Sequence, residues 1–147
     1  MKLLKKLKKC VEDDFVAFRL SIITPDKELV EENCEIVSFW TVEGSMGVLT
    51  HRAPIITALD IAELKAKKTD GEEVFYAVHG GYMDVDGEKV TIVTDAAEHW
   101  KEIDIARAER SRRKAEELLK KAQSDREEAR AKARIERALL RIKLARR

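Results

Sequence analysis

Through the first two thirds of the chain, apolar residues come in short β-branched runs broken by Gly, Pro and Asp; beyond Ile103 they recur every three or four positions. Val16–Ile23 reads as a strand ended by Thr24-Pro25-Asp26, since proline gives a ladder no donor and Pro-Asp suits a turn. A short segment at Glu28–Val30 and a strand over Ile36–Val42 follow. In EGSMGVLTHRAP, Glu43 to Pro54, Gly44 and Gly47 bracket a tight reversal, which leaves Val48 and Leu49 room for a small edge strand. Further strands are predicted at Ile55–Leu59, Ala62–Lys67, Val74–Val78, Tyr82–Val85 and Lys89–Thr94. Gly80-Gly81 marks a bulge or a close backbone approach, and Asp86-Gly87 is the strongest hairpin signal. Many short strands at this spacing mean a β-sandwich or a flattened barrel.

The period changes at IDIARA, Ile103 to Ala108. From there on the chain has neither Gly nor Pro and is dense in Ala, Leu, Arg, Lys and Glu, a helical composition. Ala115, Leu118, Leu119 and Ala122 predict one apolar stripe; Ile135, Ala138, Leu139 and Ile142 predict a second. Ser124 and Glu127 between them have capping-box spacing, so the segment reads as an antiparallel two-helix hairpin turning at Gln123–Asp125. Its stripes are partly alanine, which buries far less apolar area than leucine, and its turn holds no Gly or Pro. A folded hairpin and an extended arm can therefore differ by only a few kcal/mol, on the order of what a switch requires. The domains expected are a basic extension (1–17), a β domain (18–102) and a helical hairpin (103–147). In the extension, Leu3, Leu4, Leu7 and Val11 have helical spacing among lysines, which fits a short helix or a weak membrane-surface anchor.

Charge sharpens this division. The net charge of +1 over 147 residues hides 16 Lys and Arg against 8 Asp and Glu from Ile103 onward, five lysines before Cys10, and 8 basic against 20 acidic residues between them. An acidic body with basic ends seeks anionic partners through those ends. No apolar run approaches the roughly 20 residues of a membrane span. Cys10 and Cys34 are too few for a disulfide framework and read as inert thiols in a reducing compartment. His51, His79 and His99 lack the spacing of a metal triad, no nucleophile stands beside a base, and no phosphate-cradling loop is present. No catalytic or metal residue is assigned.

Three stretches carry a resemblance: EGSMGVLTHRAP at Glu43 to Pro54, AVHGGYMDVDGEKVTIVTDAAE at Ala77 to Glu98, and IDIARA at Ile103 to Ala108. In this order and spacing, over about Phe18 to Ile142, the chain resembles the epsilon subunit of bacterial F-type ATP synthases. The resemblance implies a ten-stranded β-sandwich followed by the helical hairpin, and a non-catalytic rotor subunit of a proton-translocating synthase. It implies a sandwich bound to the gamma subunit and the c ring, and a hairpin that, extended, blocks ATP hydrolysis at the alpha and beta subunits. The location implied is the cytoplasmic face of the cell membrane, as a peripheral protein. The loop facing the c ring would be Glu43, Gly44, Ser45, Met46 and Gly47, with Ser45 where the family has a second acidic residue. The family's L-P-G-H-A-P stands here as Leu49-Thr50-His51-Arg52-Ala53-Pro54.

Some members bind ATP, as a regulatory ligand and not an obligatory cofactor, on the folded hairpin. The residues that match their motif are Glu98, Ile103, Asp104, Arg107, Ala108, Arg137 and Arg141. Arg137 and Arg141 lie on one helical face and with Arg107 can hold phosphates by charge-assisted bonds, while Asp104 and Glu98 can accept from the base or ribose. Asp104 is equally a good helix N-cap. The rival reading of the basic tail is a helical nucleic-acid-binding module, whose affinity would fall steeply with salt.

Overall fold

The computed structural model describes residues 17–147 except Lys27 and Arg52. The basic leader with its helical spacing, the start of the first strand at Val16, and Cys10 lie outside the described residues.

Among the described residues seven strands form the β domain: β1 (Phe18–Ile23), β2 (Glu28–Thr41), β3 (Gly44–Leu49), β4 (Ile55–Lys68), β5 (Glu73–Val85), β6 (Lys89–Val93) and β7 (Ala97–His99). They do not make the ten expected. Glu28–Val30 joins Ile36–Val42, Ile55–Leu59 joins Ala62–Lys67, and Val74–Val78 joins Tyr82–Val85, so three long strands each replace two short ones. On one edge β2 pairs with β1 through Glu28–Cys34 and then with β3 through Ile36–Thr41, and on the other it pairs with β4. The sheet order is β1-β6-β5-β4-β2-β3, with β1 also pairing β2, so the ring β1-β6-β5-β4-β2 closes on itself as a barrel. Closure removes the open edges that a sheet would otherwise present.

Strand alternation fills the barrel. Phe18, Leu20 and Ile22 point inward from β1, Val37 and Phe39 from β2, Leu64 and Ala66 from β4, and Val90 and Ile92 from β6. Gly80 and Gly81 sit within β5 at φ 80° and 110°, and a Cβ on Gly81 would stand 2.1 Å from the Val93 carbonyl oxygen. The close approach read from the sequence is present, and only glycine accommodates both the φ and the space. The reversal after β2 is tighter than expected. Val42 and Glu43 alone turn the chain and Gly44–Leu49 is already strand β3, locked as the Thr41 hydroxyl accepts from the Glu43 N–H (3.1 Å) and donates to the Gly44 carbonyl (2.9 Å).

Two helices follow a short 3₁₀ turn at Trp100–Glu102: α1 (Ile105–Lys121) and α2 (Asp125–Ala145). Asp104 caps α1 by accepting from the Arg107 N–H at 3.1 Å. Ser124 caps α2 by accepting from the Glu127 N–H at 3.2 Å, and Glu127 reaches back to the Gln123 N–H at 2.9 Å. Ala115, Ala138 and Ile142 of the predicted stripes are buried, but the rest of each buried face differs. Ala108 and Ala115 are buried on α1, and Ala131 and Ala138 on α2, a seven-residue repeat on each helix as in a coiled-coil seam. Leu118 and Leu139, assigned to those stripes, are each 47% exposed. The residues that dock α2 are instead Leu140 and Leu144, which form a second core with Phe75, Ala77 and Ile103.

Candidate functional site

The first half of β5 explains where the hairpin rests. Val74, Tyr76 and Val78 belong to the barrel core, while Phe75 and Ala77 belong to the second core. Residues i and i+2 share a strand face, so Phe75, Ala77 and His79 form one row beneath the helices. The register sets Glu63 of β4 opposite Ala77 on one side and Glu98 of β7 opposite it on the other. Both carboxylates hold cations of α2 and its end. Glu98 accepts from Arg141 Nε at 2.8 Å and pairs with its Nη2 at 2.7 Å. Glu63 accepts from Arg147 Nη2 at 3.1 Å and pairs with Lys143 at 3.6 Å. The Arg147 guanidinium also stacks on Phe75, 3.9 Å from the ring centre.

Beside this contact, a cavity of about 430 Å³ opens between the barrel and both helices, lined by His79, Asp95, Ala96, Ser111, Lys114, Ala115, Leu118, Arg134, Arg137 and Arg141. Its walls thus bring four cations from two helices to the end of β5. The His79 side chain is 2% exposed, and the nearest carboxylate oxygen, on Glu98, is 4.0 Å from Nε2. That distance is too long for a hydrogen bond. Both ring nitrogens and Arg137 Nε are buried without a partner. Burial first, and the Arg141 charge second, push the His79 imidazole down to about 4, against the opposing pull of Glu98, so the ring is neutral at physiological pH.

The residues expected at a nucleotide site divide into two groups. Arg137 and Arg141 line the cavity, and Glu98 is held against Arg141. Ile103 is buried in the second core and Ala108 in the helix seam, while Asp104 is committed to its cap. Arg107 is exposed and does not line the cavity, but it precedes Ser111 by one turn on the same face of α1. IDIARA therefore builds the first turn of α1, whose face runs on into the cavity wall. His79, Lys114 and Arg134 were not among the expected residues; a row of alternate positions ending in a histidine was the signal for the first. Of the expected c-ring loop, Glu43 lies in the turn and Gly44, Ser45, Met46 and Gly47 lie in β3. Among the described residues no group of His, Cys, Asp or Glu is arranged to hold a metal ion, and no helix is long and apolar enough to cross a membrane.

Residues 17–100 match the family described as ATP synthase, Delta/Epsilon chain, beta-sandwich domain, and residues 101–146 match its long alpha-helix domain. The chain is 36% identical over 128 residues to the sodium-ion-specific ATP synthase epsilon chain of Propionigenium modestum, covering 87% of this chain and 93% of that one. It is 35% identical over 136 residues to the ATP synthase epsilon chain of Levilactobacillus brevis, covering 90% and 97%. A chain in the cryo-EM structure of the Euglena gracilis mitochondrial ATP synthase shares the fold, with a TM-score of 0.71 at 22% identity over 82% of this chain and 76% of that one.

Proposed function

From the premise that the chain belongs to the ATP synthase Delta/Epsilon family as a non-catalytic epsilon chain, we propose that it is a central-stalk subunit whose hairpin senses ATP. In this reading the barrel joins the gamma subunit to the c ring through the β2–β3 hairpin, at the cytoplasmic face of the cell membrane. Undocked, the hairpin extends toward the alpha and beta subunits and inhibits hydrolysis. One relative is named as sodium ion specific, so the proton belongs to this proposal as well.

One observation carries the regulatory part: the cation-lined cavity has walls from both the barrel and the hairpin. A polyanionic ligand bound there contacts both and therefore stabilises the docked state by linkage. The residues fit such a ligand. Lys114, Arg134, Arg137 and Arg141 face the phosphates, Ala96, Ala115 and Leu118 offer apolar wall, and Arg137 Nε is a buried donor without a partner. The regulatory ligand would thus be held by Arg137 and Arg141, with Arg107 at the rim. The nucleic-acid reading of the tail loses its support here, because Lys143, Arg146 and Arg147 are paired with Glu63 and Glu109 within the chain. Titration calorimetry of the full chain is the test. ATP binds at one site and the Arg137→Ala/Arg141→Ala double variant loses it; no heat at millimolar ATP refutes the sensing role.

A further inference from the structure

The cavity holds a polar group that the motif residues do not account for. His79 is almost fully buried at its floor, and neither ring nitrogen has a hydrogen-bond partner. Buried polar groups in native proteins are nearly always paired. Every charged group facing this ring can be named: Arg134, Arg137 and Arg141 on α2, Lys114 on α1, Asp95 between β6 and β7, and Glu98 on β7. Glu98 is already engaged by two nitrogens of Arg141, so the cavity keeps an excess of positive charge. A cation is excluded by that excess, and an anion is favoured.

We propose that His79 is a specificity-determining residue of this cavity, donating a directed hydrogen bond to a phosphate oxygen of a polyphosphate-bearing ligand at the floor between Arg137 and Arg141. This rests on the nucleotide reading of the same cavity and adds a residue outside the IDIARA motif. The arginines supply charge, which is tolerant of position. The imidazole sits on a strand of a closed barrel, where the backbone N–H of His79 donates to the Ala96 carbonyl at 3.1 Å, and supplies a fixed direction. Being neutral, it adds no repulsion to the neighbouring guanidinium groups. An anion placed against it would offset their field and move its titration upward.

The test uses the full chain with histidine ring nitrogens labelled with ¹⁵N, His79 being assigned by its absence in His79→Gln, and inorganic tripolyphosphate and ATP as probes. Both probes are expected to move the His79 ring signals and raise the pH of their titration. His79→Ala should weaken ATP binding roughly 10- to 100-fold, the loss of one hydrogen bond to a charged group, and His79→Gln, which retains an N–H donor, should recover most of it. If ATP binds and the double arginine variant abolishes binding while the His79 signals stay fixed and His79→Ala binds as tightly, the proposal is overturned and the nucleotide reading stands. If tripolyphosphate moves the His79 signals but ATP does not bind, the nucleotide reading falls and the oxyanion role of His79 stands. Signals unmoved by either probe also overturn the proposal.

Discussion

Leu144→Ala should release the hairpin from the barrel without unfolding the barrel. Leu144 is fully buried against Phe75, Ala77, Ile103 and Leu140, in a cluster separate from the barrel core. Full burial of a leucine is worth about 1.5–3 kcal/mol, so Leu140 and Leu144 together supply roughly 3–6 kcal/mol of docking. The ion pairs of Arg141, Lys143 and Arg147 with Glu98 and Glu63 are partly exposed and add at most about 1 kcal/mol each. Truncating a buried leucine costs about 2–5 kcal/mol, transfer and cavity together, which is most of the leucine share. The docked state then loses its large excess, and the undocked hairpin becomes measurably populated.

Trp100 reports this directly, since its ring stands edge-on to Phe75 at 6.2 Å and packs on the second core. In a Trp40→Phe background, which removes the exposed second tryptophan, Leu144→Ala should shift Trp100 emission to the red and speed amide exchange in α2. The strand amides should keep their protection. Leu139→Ala is the control: its side chain is half exposed and its truncation should stay within about 0.5 kcal/mol of wild type. If the two variants behave alike, with Trp100 unshifted in both, the assignment of Leu144 rather than Leu139 to the docking face is wrong.

Gly81→Ala should destabilise the barrel by at least about 2 kcal/mol, read as a lowered urea midpoint, because the new Cβ meets the Val93 carbonyl and φ is +110°. Ser124→Ala removes the α2 cap and should cost about 1 kcal/mol, seen as faster exchange of the Asp125–Glu128 amides with Ala138 unaffected. His79 makes the stability pH-dependent: its imidazole, ordinarily near 6.5, is held down at about 4 when folded. Between those values only the unfolded chain takes up the proton, so stability is full above pH 6.5 and falls as pH drops toward 4, by up to roughly 3 kcal/mol; His79→Gln should flatten that slope in urea titrations. Cys34 is fully buried with its thiol pushed up to about 11, chiefly by burial, so it should resist iodoacetamide until the barrel is unfolded in urea.

The periodicities located the elements but not the surfaces they meet. Ile36–Val42 and Lys89–Thr94 were visible as alternating runs because one face of each is apolar and the barrel needs only that. Val74–His79 is buried on both faces, so its alternation carries no polar half, and nothing local shows that Phe75 and Ala77 face a helix rather than the barrel. The same limit misplaced the α2 stripe. Leu139 with Ile135 and Leu140 with Leu144 have equally good helical spacing, and the choice between them depends on where the row Phe75, Ala77 and His79 lies. The ten strands implied by the resemblance are not seen, and the short strands read on either side of Asp60 and of Gly80-Gly81 are each one long strand, because a bend in a long strand and a break between two short ones leave similar Gly and Asp marks; ladder pairing distinguishes them. The cap residues Asp104 and Ser124 were legible because their work is local. His79 was not, since its place at the cavity depends on helix residues, from Ser111 onward, that follow it by more than thirty positions in the chain.

On the proposed reading the hairpin would exchange partners, and the grading of its contacts in strength fits that reading. Its inner seam is alanine at Ala108, Ala115, Ala131 and Ala138, which lets the helices approach closely but buries little apolar area. Its grip on the barrel combines two leucines with screened ion pairs, while Leu118 and Leu139 remain half uncovered. Extending the arm forfeits roughly the few kcal/mol of leucine docking and frees Leu118, Leu139, Leu140 and Leu144 together with the arginines for another protein surface. On the proposed reading, a ligand in the cavity would add its binding energy to the docked side only, because seven of the ten lining residues would leave with the hairpin. With opposing terms of this size, a ligand at 100 times its dissociation constant contributes about 2.7 kcal/mol, enough to reverse the preference if an inhibited enzyme holds the arm by a similar margin. On the proposed reading the barrel, closed by its own ladder and filled from every strand, would take no part in that exchange and would serve as the fixed base.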